Sequence, residues 1–288
     1  MVIKNGRNTK AIIEKKNKHI TANINYAWRI QNAILPRMDD IRQSFPDMFI
    51  FYKPRDIVSG DFYWHAKIGN RHIIAAIDCT GHGVSGAFMS LVGDSYLKHI
   101  VNVEKITSPD EILTRMHIGI RSALKQEQTR DNNGMDMAIC VVDYESKIME
   151  FAGAVNPLIY VKDNELYHIK GDLKSIGGEQ KDKSPKFEKH IISLEQPICF
   201  YLFSDGYVDQ FGGSKGRKYM IKRFKNFLYE IHNEPMQKQA ELLEANLKNW
   251  MSPPGTGRSE KKVDDIIVVG IRIGGNQPIE IENQYPQL

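Results

Sequence analysis

Cysteine is scarce in this chain of 288 residues: only Cys79, Cys140 and Cys199 occur. An odd, widely spaced trio excludes a disulfide framework and offers no zinc-ligand spacing. Two of the three lie in apolar, strand-like runs, which points to reduced, buried thiols. Long hydrophobic runs are also lacking. The N-terminal "MVIKNGRNTKAIIEKKNKHI" has no apolar stretch suited to export, and no other run is long enough to span a bilayer. The expectation is a cytoplasmic protein with no membrane partner, or a fragment of something larger. Charge of one sign is lacking too. A net charge of +4 with no dense basic stripe gives no footprint for nucleic acid. What is present is ordinary for a soluble globular chain, 41% hydrophobic and 26% charged, enough for one large core or two small ones.

Residues 9–35 read as one amphipathic helix. Ile13, Asn17, Ile20, Ile24, Ala27, Gln31 and Ile34 form an a/d seam weakened by its two polar members, and Pro36 ends the helix. So short a seam serves either a marginal coiled coil or packing on its own domain. Strand-like pieces follow at 47–52, 61–67 and 71–79, the last two joined by the turn pair Gly69-Asn70. Helical periodicity covers 84–101. A second helix is expected from Ser108, with Pro109 in its first turn and Glu111 closing a capping box, to about Gln128. Strands are then expected at 136–143, 147–153, 157–161, 165–169, 187–193 and 198–204. Two helices (217–232 and 235–251) and a last strand (263–273) complete the pattern. Runs of strands joined by short turns argue for antiparallel sheets with helices set outside them.

Residues 75–90, "AAIDCTGHGVSGAFMS", contain a G-x-G-x-x-G at Gly81, Gly83 and Gly86. A dinucleotide fold needs strands alternating with helices, and that alternation is missing. Ser85 lacks the G-x-S-x-G spacing of a nucleophile elbow. Acidic residues at strand tips are the stronger signal: Asp61 in "IVSGDFYW", Asp78, Asp205 in "LFSDGYVD", and Asp264-Asp265 in "KKVDDIIVV". Each alone reads as a turn or cap residue. Together, should the tips meet, they repel one another unless a proton or cation intervenes. Oxygen donors without His or Cys favour magnesium, manganese or calcium over zinc.

"PRDIVSGDFYW", "AAIDCTGHGVSGAFMS", "FAGAVNPLIYV", "LFSDGYVDQF" and "VDDIIVVGI" stand in an order that resembles the metal-dependent serine/threonine phosphatases of the protein phosphatase 2C superfamily. The bacterial sporulation-phosphatase (SpoIIE-type) branch is the most similar, over roughly residues 45–273. The resemblance implies an α+β, four-layer sandwich of two central antiparallel sheets flanked by helices and preceded by a linker helix. It divides the chain into a helical linker (1–42), a phosphatase domain (43–275) and a polar tail (276–288). It also implies two divalent cations, manganese or magnesium. Asp78 would ligate and bridge both and the Cys79 backbone carbonyl would face one, Asp205 and Asp264 (or Asp265) would hold the first, and Asp61 would stand near the second, directly or through water. Asp209 is then either a further ligand or a surface residue. Asp136 reads as a strand-start residue.

The implied reaction is hydrolysis of a phosphoserine or phosphothreonine by a metal-activated water, with no phosphoenzyme. Eukaryotic members carry a His two positions after the bridging Asp. Here Thr80 stands there, and His82 is the candidate acid beside water itself. Arg55, with Lys53 behind it, is the candidate phosphate grip; both could equally be solvated. The implied partner is a phosphorylated regulator such as an anti-sigma-factor antagonist, with residues 9–35 pairing with a second copy or an upstream sensor. The competing reading is a phosphatase-fold module that acts by binding alone.

Overall fold

Gly69-Asn70 is the sharpest turn signal in the sequence, and it closes a two-residue hairpin between β2 (Phe62–Ile68) and β3 (Arg71–Cys79), with Gly69 at φ 58°. The computed structural model describes residues 2–178, 182–255, 257 and 259–274; the expected tail at 276–288 lies outside them. The order from the N-terminus is α1 (Val2–Ile34), α2 (Met38–Ser44), β1 (Met48–Lys53), then the β2–β3 hairpin. α3 (Gly83–Lys98) continues into a π-helical turn (His99–Val103), and α4 (Pro109–Ala123) follows. Next come β4 (Gly134–Asp143), β5 (Ile148–Ala154), β6 (Leu158–Lys162), β7 (Glu165–Ile169), β8 (Ile176–Gly177), β9 (His190–Ser193) and β10 (Ile198–Phe203). The chain then runs through α5 (Gly206–Asp209), β11 (Phe211–Gly212), β12 (Arg217–Lys218), α6 (Ile221–Ile231), α7 (Met236–Met251) and β13 (Ile266–Ile273).

Two antiparallel sheets result, of order β1-β13-β10-β6-β7 and β2-β3-β4-β5-β9, with β8 paired to β4. Their facing surfaces bury Ile74, Cys140, Phe151, Phe200, Leu202 and Val269. The outer face of the second sheet packs under α3 and α4 through Ile77, Leu97, Met116 and Ile139. The outer face of the first packs under α6 and α7 through Tyr201, Phe224, Leu243 and Val268. This is the expected four-layer α+β sandwich. Alternate residues of β3 and β4 serve two cores, so these strands read as continuous apolar runs rather than alternating ones.

Local departures have physical causes. Ser108 is the N-cap of α4, but its hydroxyl donates to Asp110 Oδ1 (2.5 Å) and Glu111 pairs with Arg115, so no capping box forms. α4 also ends at Ala123, short of Gln128. Residues 217–218 pair with 211–212 as a small hairpin instead of opening a helix. The α1 seam divides. Gln31 is buried, and Ile24, Ala27 and Ile34 are half-buried where α1 packs on α3, whereas Ile13 and Ile20 stay 52% and 56% exposed. All three cysteines are free and buried, and no helix among the described residues is long and apolar enough to cross a membrane.

Candidate metal centre

Four of the strand-tip aspartates meet at one end of the sandwich. Asp61 immediately precedes β2, Asp78 is the penultimate residue of β3, Asp205 follows β10 by two, and Asp264 precedes β13 by two. β10 and β13 are antiparallel neighbours, so the end of one adjoins the start of the other. Ser204 joins the sheets: its hydroxyl donates to Asp61 Oδ2 at 2.5 Å and accepts from the Ile267 amide at 3.1 Å.

The electrostatics follow from this crowding. Burial raises the Asp61 carboxyl well above the usual range, Asp265 and Asp264 add to the rise, and the Ser204 hydroxyl opposes it. Burial likewise raises Asp78, helped by Asp61, Asp205, Asp136 and Asp264. Asp205 still meets solvent along part of its surface. Lost hydration of its carboxyl, then Asp209, Asp264 and Asp136, nonetheless push it up to about 6. Asp136 is directly opposite Asp78 in the β3–β4 ladder, a like-charge pair that a sheet does not favour. Asp136 is thus a strand-start residue and also part of this field.

The acidic pair at β13 separates by role. Asp265 Oδ1 accepts the Arg55 amide and Oδ2 the Gly60 amide, both at 2.7 Å, so this buried carboxylate clamps the β1–β2 loop. The Asp264 carboxylate, by contrast, accepts the amide of its neighbour Asp265 through Oδ1 (2.9 Å). Asp209 is ion-paired to Lys218 at 2.6 Å. Lys53 pairs with Glu244 on α7 (2.7 Å), and the Arg55 guanidinium donates to the Val263 carbonyl (2.8 Å), so neither extends freely toward the carboxylates. His82, half-exposed before α3, sits 3.1 Å from Asp56 through Nδ1. Cys79 lies at the end of β3, with its thiol pushed well up by burial.

The glycine motif is a packing device. A Cβ on Gly86 would sit 2.3 Å from the Gly81 carbonyl oxygen and 2.7 Å from the Gly60 Cα; one on Gly60 would lie 2.5 Å from the same oxygen. These close approaches bring α3 and the Asp61 loop together beside Cys79. Gly86→Ala gains about 1 kcal/mol of helix propensity, but a Cβ this close to backbone atoms puts the overpacking cost near its upper end, about 3 kcal/mol. The expected result is a net loss of about 1 kcal/mol or more in urea unfolding, with unchanged m; an unchanged midpoint would contradict the packing argument.

Several site residues escaped the sequence reading. Gln31, a polar break in the α1 seam, is buried. Its amide donates to the Ser59 carbonyl (2.6 Å) and Ser90 Oγ (2.9 Å), while its oxygen accepts the Ser59 amide (3.1 Å), two residues from Asp61. Tyr52 donates to the Asp61 carbonyl at 3.1 Å. Lys262 donates to the Pro54 carbonyl, and burial lowers its ammonium below the usual value. Their types carry no signal; only Gln31 was marked, by being polar in an apolar row.

An all-oxygen set of crowded carboxylates suits a hard divalent cation. Among the described residues, no three His, Cys, Asp or Glu side chains converge as they stand into an ion-holding group. The donor chemistry of the cluster nonetheless fits such an ion.

Comparison with known proteins agrees with the architecture. The family described as stage II sporulation protein E (SpoIIE) matches residues 69–274. The SiaA-PP2C domain of Pseudomonas aeruginosa is similar at 30% identity and TM-score 0.79, covering 90% of this chain and 99% of that one. The structure of the PP2C phosphatase domain and a regulatory-domain fragment of SpoIIE from Bacillus subtilis shares the fold at 19% identity and TM-score 0.61, over 79% of this chain and 63% of that one. RsbX in complex with magnesium shares it at 13% identity and TM-score 0.53, over 78% and 94%. No curated protein sequence matches the chain significantly.

Proposed function

The chain belongs to the SpoIIE family of PP2C-type phosphatases, and on that premise we propose that it hydrolyses phosphoserine or phosphothreonine esters on a regulatory protein. The observation that carries this reading is the cluster of Asp61, Asp78, Asp205 and Asp264, in which burial and then neighbouring carboxylates raise the proton affinity of Asp61, Asp78 and Asp205. We assign these four, with the Cys79 carbonyl, to two magnesium or manganese ions; Asp209 and Asp136 stand behind them. Bound there, the ions would offset the phosphate's charge and lower the pKa of the attacking water.

The chain's own groups do the positioning. Asp265 fixes the loop that carries Asp61 by holding the Arg55 and Gly60 amides. His82, oriented through Nδ1 by Asp56, leaves Nε2 to hold a proton for the departing seryl oxygen. Hydrolysis of p-nitrophenyl phosphate tests the assignment. Manganese-dependent turnover that chelator abolishes is expected. A folded sample without metal-stimulated turnover would favour the second reading, a module of this fold that acts by binding.

The substrate class we favour is a phosphorylated anti-sigma-factor antagonist or similar regulator, met in the cytoplasm. The exposed Ile13 and Ile20 on α1 support pairing of residues 9–35 with a second copy or an upstream sensor. Ile13→Asp with Ile20→Asp is expected to reduce the mass measured by light scattering from dimer to monomer. An unchanged dimer, or a wild-type monomer, would remove the self-pairing proposal.

A further inference from the structure

A sizeable cavity lies outside the carboxylate cluster. It is a groove of about 1160 Å³ between the β11–β12 hairpin and helices α6 and α7. Five cations line it, Lys215, Arg217, Lys218, Lys222 and Arg223, against one acid, Glu230. Lys218 is taken by Asp209, and no ion-pair partner of the other four occurs among the described residues. The chain's whole net charge is only +4, and the groove's own excess equals it, so the remaining charges cancel among themselves.

The groove is built rather than incidental. The Arg223 guanidinium lies 4.3 Å from the centre of the Trp250 ring and donates to the Tyr219 carbonyl at 2.8 Å. Trp250 is itself pinned by its indole N–H to the Gln210 carbonyl (2.9 Å). A guanidinium already held over an indole loses little freedom on meeting a carboxylate, which favours binding. One link ties the groove's wall to the site: Lys218 pairs with Asp209 (2.6 Å), one helical turn beyond Asp205.

We infer that this groove docks an acidic segment flanking the phosphorylated residue of a protein substrate. The inference rests on the phosphatase reading above and adds a determinant of substrate choice. Carboxylates of the segment meet Lys215, Arg217, Lys222 and Arg223 while the phosphoryl group reaches the Asp205 end. A peptide fits better than a nucleic acid because the cations line one pocket next to the ester site and form no extended track.

The test uses two phosphoserine peptides of one core sequence, flanked by glutamates or by alanines, with manganese at low salt. Two or three exposed charge pairs give the wild type about a tenfold preference in kcat/KM for the glutamate peptide. That preference shrinks as salt is added. Lys215→Glu with Lys222→Glu brings the ratio to about one or below, and weakens binding of a fluorescein-labelled glutamate peptide measured by anisotropy in chelator. No preference in a wild type that turns over p-nitrophenyl phosphate, or a preference intact in the double variant, overturns the docking role. So does tighter binding of a single-stranded oligonucleotide than of the glutamate peptide. Charge-dependent peptide binding without any phosphoester turnover would retain the groove and discard the phosphatase reading.

Discussion

Asp78→Asn is expected to lower phosphoester turnover about a thousandfold, the scale of losing one preorganised electrostatic group, while raising the thermal stability of the metal-free protein. The two effects share one cause. Asp78 faces Asp136 across the ladder and feels Asp61, Asp205 and Asp264 as well. Replacing its carboxylate with an amide of equal size removes that repulsion and also a negative ligand. A structural aspartate would behave otherwise, since its loss would lower stability and activity together. Stopped assays with p-nitrophenyl phosphate and calorimetry in chelator read both quantities. Turnover within tenfold of wild type, or a lower melting temperature, would contradict the assignment.

The second large effect is a pH-dependent stabilisation by divalent ions. A carboxyl whose folded pKa exceeds its unfolded one binds more protons folded than unfolded within that interval. Its contribution is therefore fully present below the ordinary value of 3.8 and is lost as pH rises through the folded value, about 6 for Asp205 and higher for Asp61 and Asp78. In chelator, this part of the stability falls from about pH 4 to above 6. The buried histidines act oppositely. Burial holds the His65 imidazole neutral down to about 4, so its contribution grows as pH rises from there. The diagnostic is therefore the difference between wild type and Asp78→Asn, which isolates the cluster. Manganese at about 100 times its Kd adds about 2.7 kcal/mol, or roughly 5–10 °C for a domain of this size, near pH 7.5. Much less is expected near pH 5, where protons compete. A manganese shift of equal size at both pH values, or in both proteins, would place the ion elsewhere.

Much of the scaffold was legible because it rests on local signals. The β2–β3 hairpin was marked by Gly69-Asn70, and strand β7 matched at both ends, since short-range turn chemistry sets such boundaries. The insertion of β13 between β1 and β10 could not be read. Pairing partners distant in sequence leave no local trace. The same limit applied at the site. Asp264 and Asp265 are equivalent by residue type, and only the amides of Arg55 and Gly60, more than two hundred positions away, distinguish them. Gln31 shows the reverse. Its polarity looked like a defect in a coiled-coil seam until Ser59 and Ser90 supplied partners. Ser108 carried the right residue types for a capping box, but the nearer Asp110 carboxylate took its hydroxyl.

An anomalous-difference map from crystals of the full chain grown with manganese, collected at the metal's absorption edge, bears on the cluster most directly. The predicted map has its strongest density within ligating reach of Asp78 and of the Asp205–Asp264 pair. Density confined to other carboxylates, with Asp61 and Asp78 contacting only protein, would mean that these strand-tip aspartates gather for some purpose other than holding ions.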